Sequence, residues 1–588
     1  MVTVPVYEFS NGVFFMKNRP VLLLLTLAFV FGGLSISLGQ YVTRPLLKQS
    51  GTQGRPNIVI ICADALGISD LGCYGSEIKT PAIDKIASQG IRFTQFYNAA
   101  SATSTRASLM TGQYPHSAGL GYKLFNLGMT GYYGTLNKET PTLPELLKVK
   151  AGYRTMMVGR WGLSRDIGKN GPMYNWPTNR GFDSFYGTLS LSDNQFNPAT
   201  LKMGEKPYPA TGRDFYYMDS IAKVAEDFIN EASKSDKPFF LYVSLPGPFM
   251  PLQAPTSELR SRSGYYSIGW DQIREERYKR MKALYTINPR TKLSPRDENV
   301  PEWALIGPYA RWQSLRMEVY ATQVEAMDRV VGEIIHHVQL ASKGNNTLII
   351  FMSSSGGNGL ELPENFKGAQ YMSPTTKTGQ PVMSGNNPRV APGSERTYQS
   401  YGIPWANVSN TPYRGYAEDV YEGSLASPCI ISYPKILSPG RVTHQIAHPI
   451  DIIPTILDII EVKYPAQVNG FNTQPLPGIS LKSVFDMKTK DEERYLFWEY
   501  KGNIAVRSGK WKLVSQFDPE SKRVWELYDM ISDRSESNNL LNDYGSQAKL
   551  MFQEYVRWAQ KNNVRDWKEV SQKLKEVQRR AAANVRRE

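Results

Sequence analysis

The stretch Ala99 to Gly112, AASATSTRASLMTG, places the hydroxyls of Ser101, Thr103 and Ser104 around Ala102, just ahead of Arg106. A guanidinium presents a planar fork of donors suited to an oxyanion. Arg106 therefore has two open roles, holding an anion or capping loop carbonyls. A hydroxyl attacks only when a base or metal activates it. The chain has 5 histidines. His116 follows Tyr114-Pro115, His336 and His337 share a helical period, and His444 and His448 flank a strand ahead of Asp451. Cys62, Cys73 and Cys429 lack metal-ligand spacing. Cys62 lies in an apolar run and reads as a small core residue, with a Cys62–Cys73 bridge as the alternative.

Short apolar runs predict the strands that must carry such groups: Asn57 to Cys62, Arg154 to Val158, Phe239 to Val243, Thr347 to Met352 and Cys429 to Ser432. Helical spacing runs over Tyr217 to Ser233, and again through Met317, Tyr320, Val324, Met327, Val331 and Ile334. The alternation implies an α/β class, a doubly wound and mostly parallel central sheet covered on both faces. Ligands of such sheets sit beyond the carboxyl ends of the strands, where Asp64, Ala102, Phe249 and Ser354 fall. From about Arg494 short strands (Tyr495 to Tyr500, Asn503 to Val506, Trp511 to Ser515) predict a small antiparallel sheet. A helix from about Ser546 to Lys561 follows it. Two long polar loops, Ser257 to Pro308 and Glu361 to Asn410, carry Tyr265, Tyr266, Trp270 and Trp405, which either stack on sugars or a partner or pack the loops down.

Several segments together resemble the sulfatase family, the arylsulfatase-like branch of the alkaline phosphatase superfamily. They are RPNIVIICADALGISDLGCYG, TPAIDKIASQGIRFTQFYNA, YRTMMVGRWGL, GFDSFYG, KPFFLYVSLPGPFMPLQAP, DRVVGEII, NTLIIFMSSSGG, LFWEYKGNIAVRSGKWKLV and WELYDMISDRSESNNL. The resemblance runs from about Arg55 to about Lys561 and implies that family's fold. In working members a Cys or Ser four residues before the Arg of the signature becomes formylglycine, which supplies the attacking oxygen. Here that position is Ala102, and the Pro expected two residues later is Ser104.

The other positions that the resemblance points to are altered too. The family's Asp-Asp pair is Asp64-Ala65 and its Asp-Asn pair is Ser354-Ser355. One carboxylate remains where calcium would be bound, and hard cations require several oxygens, so no cofactor is expected. Lys-Trp-His appears as Arg160-Trp161-Gly162 and Pro-His as Pro248-Phe249. Gly162 and Phe249 cannot transfer a proton. A sulfate-contacting Lys falls near Ala417, and no histidine stands where the family needs one. The implied site is thus a relict of Asp64, Ala65, Ala102, Arg106, Arg160, Gly162, Phe249, Ser354 and Ser355, with no intact catalytic set.

The 588 residues carry a formal charge of +14, with 41% hydrophobic residues. After Lys17 and Arg19, residues 20–39 are uncharged and mostly apolar, long enough to span a bilayer. They read as a signal anchor with the body on the exported side, or as a cleaved signal peptide giving a secreted or periplasmic protein. The organisation expected is a cytoplasmic N-terminus (1–19), that segment (20–39), a linker (40–54), the main domain (55–490), a C-terminal subdomain (491–562) and a basic amphipathic tail (563–588). The tail and the cluster Arg274 to Lys282 suit an anionic membrane surface, a protein partner or an anionic glycan, with a solvated helix flanking the domain as the alternative for the tail. Nucleic acid is not expected. Three functions remain open: an inactive, membrane-anchored accessory subunit of an assembly, a module holding sulfated or other anionic glycans, and a sulfuric ester hydrolase of altered chemistry.

Overall fold

The computed structural model describes residues 54–167, 172–259, 263–341, 346–368, 372–468, 470–486 and 494–585. Ten strands form the main sheet: β1 (Asn57–Asp64), β2 (Ile91–Tyr97), β3 (Arg154–Gly159), β4 (Ser184–Thr188), β5 (Leu201–Met203), β6 (Lys206–Pro207), β7 (Phe239–Pro248), β8 (Thr347–Ser353), β9 (Ala426–Ser432) and β10 (Arg441–Thr443). Their order is β10-β2-β9-β8-β1-β7-β3-β4-β5-β6. The strands β8, β1, β7, β3 and β4 are mutually parallel, while β9 runs antiparallel to both its neighbours.

Side-chain alternation along the central strands feeds two cores, one on each face. Val59, Ile61, Leu241, Val243 and Phe351 pack with the helices Tyr217–Ala232 and Ala310–Ala341. Ile58, Ile60, Phe240, Tyr242 and Ile350 pack on the other side with Ala102–Thr111, Leu143–Ala151 and Ile452–Ile459. Both faces being covered, these strands carry near-continuous apolar runs, as buried parallel strands must. The strands and helices expected from the sequence are present, most with ends within a few residues of the expected ones, while the helix read through Met317 to Ile334 extends over Ala310–Ala341.

The strands Tyr495–Tyr500, Asn503–Ser508, Trp511–Ser515 and Glu526–Asp529 form a four-stranded antiparallel sheet. The helix Gly545–Lys561 packs on it through Met551, Tyr555 and Trp558. The fourth strand escaped the sequence reading because ELYD is short and half polar. The helix Trp567–Val585 turns its apolar stripe back on the chain: Val570 is buried against Leu127 and Tyr132, with Trp567, Leu574 and Val577 beside it.

Two expectations change, and one open choice narrows. The single-pass membrane localisation is not upheld: among the described residues no helix is long and apolar enough to cross a membrane. The longest, Ala310–Ala341, carries Arg316, Glu318 and Asp328 among its buried residues, and Glu325 and Arg329 besides. The segment 20–39 lies outside the described residues. Of the loop aromatics, Tyr266, Trp270 and Trp405 are buried in a ring cluster with Trp303, so they pack the loops down. The cluster Arg274 to Lys282 is partly internal. Arg277 is fully buried, its Nη1 2.6 Å from Asp70 Oδ1 and its Nη2 2.7 Å from Glu77 Oε1. Burial would raise the Glu77 carboxyl, yet Arg277 holds it down to about 2. All three cysteines are free.

Candidate functional site

At the carboxyl edge of the sheet the chain leaves β1 at Asp64 and turns through Ala65, whose φ of 58° lies in the left-handed region. The peptide N–H of Phe249, just past β7, donates to the Asp64 carbonyl at 3.1 Å. At the end of β8, three serine hydroxyls are spent on this loop and on the turn after β1. Ser353 Oγ accepts from Leu66 N at 2.9 Å and donates to the Ser355 carbonyl, Ser354 Oγ donates to Asp64 Oδ1 at 3.0 Å, and Ser355 Oγ donates to the Gly356 carbonyl.

Arg160 reaches the same carboxylate from β3, across the intervening β7. Gly159 makes this possible: its φ is 100°, and a Cβ there would stand 2.0 Å from the Ser244 carbonyl oxygen. The Arg160 N–H donates to that oxygen at 2.7 Å, and fully buried Trp161 anchors the next residue through Nε1 to the Asn175 carbonyl at 2.8 Å. The guanidinium of Arg160 donates to Asp64 Oδ2.

Arg106 comes from the helix Ala102–Thr111, whose N-cap is Ser101. Ser101 Oγ accepts from Ser104 N at 3.2 Å and donates to Ser104 Oγ at 2.8 Å, so these hydroxyls close the helix start. The first N–H groups of a helix have no intrahelical acceptor, and those of Ala102 and Thr103 have none among the described residues. Arg106 Nη2 lies 3.0 Å from Asp64 Oδ1 but off the N–H axis. Neither it nor Nε has a hydrogen-bond partner among the described residues, although the side chain is 1% exposed. Burial works against both guanidiniums. Asp64, with Tyr242 and Cys62, outweighs it for Arg106, whose pKa lies above its ordinary value. For Arg160 burial, reinforced by Arg106, prevails and the pKa lies below.

These groups floor a cavity of about 900 Å³ lined by Asp64, Ala65, Ala102, Arg106, Phe249 and Ser355, among others. Arg160 and Ser354 stand behind Asp64. Gly162 lies beside Arg106, where a Cβ would be 3.5 Å from Nη1. Ala417 belongs to the wall. All nine positions picked out in the sequence therefore converge on one place. The sequence reading missed Lys123, Glu418 and Lys501, which also line the cavity. Both lysines clasp Glu418, Lys123 at 2.8 Å from Oε1 and Lys501 on Oε2. The turn at Lys501-Gly502 was visible, but nothing in it signalled a site.

The donor set does not fit calcium. Such an ion takes six to eight oxygens. Asp64 is the sole carboxylate of the floor, and its oxygens already receive Arg106, Arg160 and Ser354. At equal distance two guanidiniums would repel a dication about twice as strongly as one carboxylate attracts it. Nor does a base reach the hydroxyls of Ser101 or Thr103. His116 pairs with Glu499 at 2.8 Å, His448 caps Ile450 and is driven well below its ordinary pKa by burial, and no histidine lines this cavity.

The family profile described as Sulfatase matches residues 56–462, and one described as N-sulphoglucosamine sulphohydrolase, C-terminal, matches residues 417–561. An uncharacterized sulfatase of Schizosaccharomyces pombe is 31% identical over 517 residues, 83% of this chain and 90% of the relative. An arylsulfatase of Klebsiella aerogenes is 28% identical over 459 residues, 76% of this chain and 95% of the relative. The solved structure of Ps i-CgsB in complex with k-i-k-neocarrahexaose has a TM-score of 0.61 at 22% identity, covering 87% of this chain and 94% of that one, a likeness of fold. With its mostly parallel ten-stranded sheet and small antiparallel C-terminal sheet, the chain belongs to the sulfatase family of the alkaline phosphatase superfamily.

Proposed function

We propose that this protein is a non-hydrolysing member of its family that holds an anionic ester, a sulfated sugar above all, in the cavity above Arg106. The observation that carries this is a local surplus of positive charge around Arg106. Of the five carboxylates that line the cavity, Asp64, Asp166, Glu361, Glu418 and Asp419, two have two cationic partners each: Asp64 with Arg106 and Arg160, Glu418 with Lys123 and Lys501. Each triad keeps one unit of positive charge in excess. Among the described residues Arg106 also keeps N–H groups without acceptors in a buried setting, a costly state unless a ligand supplies the oxygens.

The absence of turnover follows from the same residues. Ala102 presents a methyl group where an attacking oxygen is required, and Gly162 and Phe249 can neither give nor take a proton. Of the two non-catalytic roles expected from the sequence, an assembly subunit and an anion holder, the cavity favours the second. A sugar ligand is in keeping with the carbohydrate bound by Ps i-CgsB.

The test is calorimetric titration of the full-length protein with inorganic sulfate and with heparin oligosaccharide, alongside a 4-nitrophenyl sulfate assay. Binding without turnover is expected. Arg106→Ala removes a charged donor, a contribution of about 1.5–3 kcal/mol, so affinity should fall about tenfold to a hundredfold. The variant should still fold, because Asp64 retains Arg160 and Ser354. Turnover that tracks with the protein, or binding indifferent to Arg106→Ala, refutes the proposal.

A further inference from the structure

The misfit with calcium leaves a question of charge, since a buried carboxylate at this edge still requires a cation. Asp64 is 2% exposed, and an ionised carboxylate so placed is retained only when paired and hydrogen-bonded. Arg160 meets that need from within the chain. It is 1% exposed, it engages Oδ2 directly, and it is not part of the cavity wall. Its backbone is pinned on both sides, by the close approach at Gly159 and by the two Trp161 anchors, N–H to the Thr188 carbonyl and Nε1 to the Asn175 carbonyl. The guanidinium therefore has a fixed origin and one destination. Ser354, standing where the family pattern has an acidic residue, donates to Oδ1 instead of coordinating anything.

We infer that Arg160 is a built-in replacement for a divalent cation: it pairs with the Asp64 carboxylate and so fixes Arg106 and Ser354 at the cavity floor, making the site independent of metal. The substitution changes the charge balance in a defined way. Asp64 is neutralised by Arg160, and the charge of Arg106 is left for whatever enters the cavity. Arg160 is a positioning residue in this scheme, since it touches Asp64 and not the ligand. A lysine would supply the same charge from the same place, with fewer hydrogen bonds.

The inference is tested on the full-length protein by metal analysis, thermal melting and titration with inorganic sulfate. A ligand that binds only the folded state raises Tm by mass action. Wild type should hold less than about 0.1 equivalent of divalent metal after dialysis, and 1 mM EDTA or 1 mM CaCl₂ should move Tm by less than about 1 °C. In Arg160→Gln, Asp64 must draw its charge balance from Arg106 alone. Sulfate affinity should then fall at least about tenfold and Tm by several degrees, as expected when a buried pair loses one partner. Arg160→Lys should restore most of both. A merely packing role would predict lower Tm in both variants with sulfate affinity unchanged, and that result overturns the inference. Stoichiometric metal in wild type, or an EDTA-induced fall in Tm, also overturns it. Only the sulfate readout rests on the anion-holding function. Should wild type fail to bind sulfate, that function is lost while the metal and Tm measurements still decide the role of Arg160.

Discussion

Four charges are buried where the C-terminal sheet meets the main domain, and removing one of them has a calculable effect. Lys512 Nζ lies 3.1 Å from Glu422 Oε1 and 2.7 Å from Glu536 Oε1, while Arg534 Nε lies 2.8 Å from Glu422 Oε2. Lys512, Glu422 and Glu536 are fully buried. The group sums to zero, so Glu422→Gln preserves shape and leaves one unpaired positive charge inside. Removing one partner of a buried pair costs about 3–5 kcal/mol. At about 2.1 cal/mol/K per residue, the unfolding entropy of roughly 530 residues is about 1.1 kcal/mol/K, so Tm should fall by about 3–4.5 °C. The variant should also change the pH dependence. Burial pushes the Glu536 carboxyl up to about 7 in spite of Lys512. A carboxyl raised in the folded state contributes stability at low pH that is lost as pH rises through 7. The pull of Lys512 and Arg534, against burial, holds Glu422 below its ordinary value, and its contribution is lost in the opposite direction, as pH falls. Without Glu422 the surplus cation draws Glu536 down, and the decline in stability between pH 5 and 7.5 should flatten. Scanning calorimetry at four pH values across that interval reads both effects. A Tm within 1 °C of wild type and an unchanged slope would refute the electrostatic account of this docking.

Other perturbations test the cavity. Ala102→Cys returns the family's residue to the helix start but should yield no 4-nitrophenyl sulfate turnover above wild type, because Gly162, Phe249 and the arginine-filled floor remain; measurable turnover would contradict this. Val570→Asp places a charge against Leu127 and Tyr132, where Val570 is fully buried, and should undock the helix Trp567–Val585. Residues 123–126, which that helix backs, line the cavity. Faster amide exchange across the helix and several-fold weaker sulfate binding are expected, and protection equal to wild type would sink the idea of a strap.

Legibility in the sequence followed the physics of each level. The strands β1, β7 and β8 could be read because burial on both faces demands an unbroken apolar run, and few other structures place such runs between amphipathic helices. The nine candidate positions could be found because a family pattern fixes where reacting atoms belong, so a methyl at 102 or a missing side chain at 162 is visible as a departure from it. What the sequence concealed were pairings between distant residues. Nothing in KGN at 501–503 or YAED at 416–419 announces that Lys501 and Glu418 meet, since that contact is made only when the C-terminal sheet docks. The burial of Arg277 was hidden likewise: a run of basic residues on a helix normally reads as a solvated face, and the acidic partners Asp70 and Glu77 lie some two hundred residues away. The aromatic loops left two readings open in the same manner, because Trp270 and Trp405 need each other, from separate loops, to become core.

Survival of the charged residues at the floor can be weighed on energetic grounds alone. A buried Asp64 without a cation would be severely destabilising, so one arginine on it is explained by folding. The second is not. Arg106 has a geometrically poor contact with a carboxylate that Arg160 already satisfies, and among the described residues its Nε and Nη2 have no hydrogen-bond acceptor. For folding, the attraction of Asp64 that lifts the Arg106 pKa is set against about 1–3 kcal/mol for each buried donor left unpaired, so a charge at 106 contributes little net stability. An anion entering the cavity shifts that balance by supplying acceptor oxygens and cancelling the surplus charge. Arg106→Met should therefore leave the ligand-free protein as stable as wild type or more so, and abolish the rise in Tm that sulfate produces. If Arg106→Met is instead strongly destabilising without any ligand, the second arginine serves the fold, and the argument for a bound anion fails.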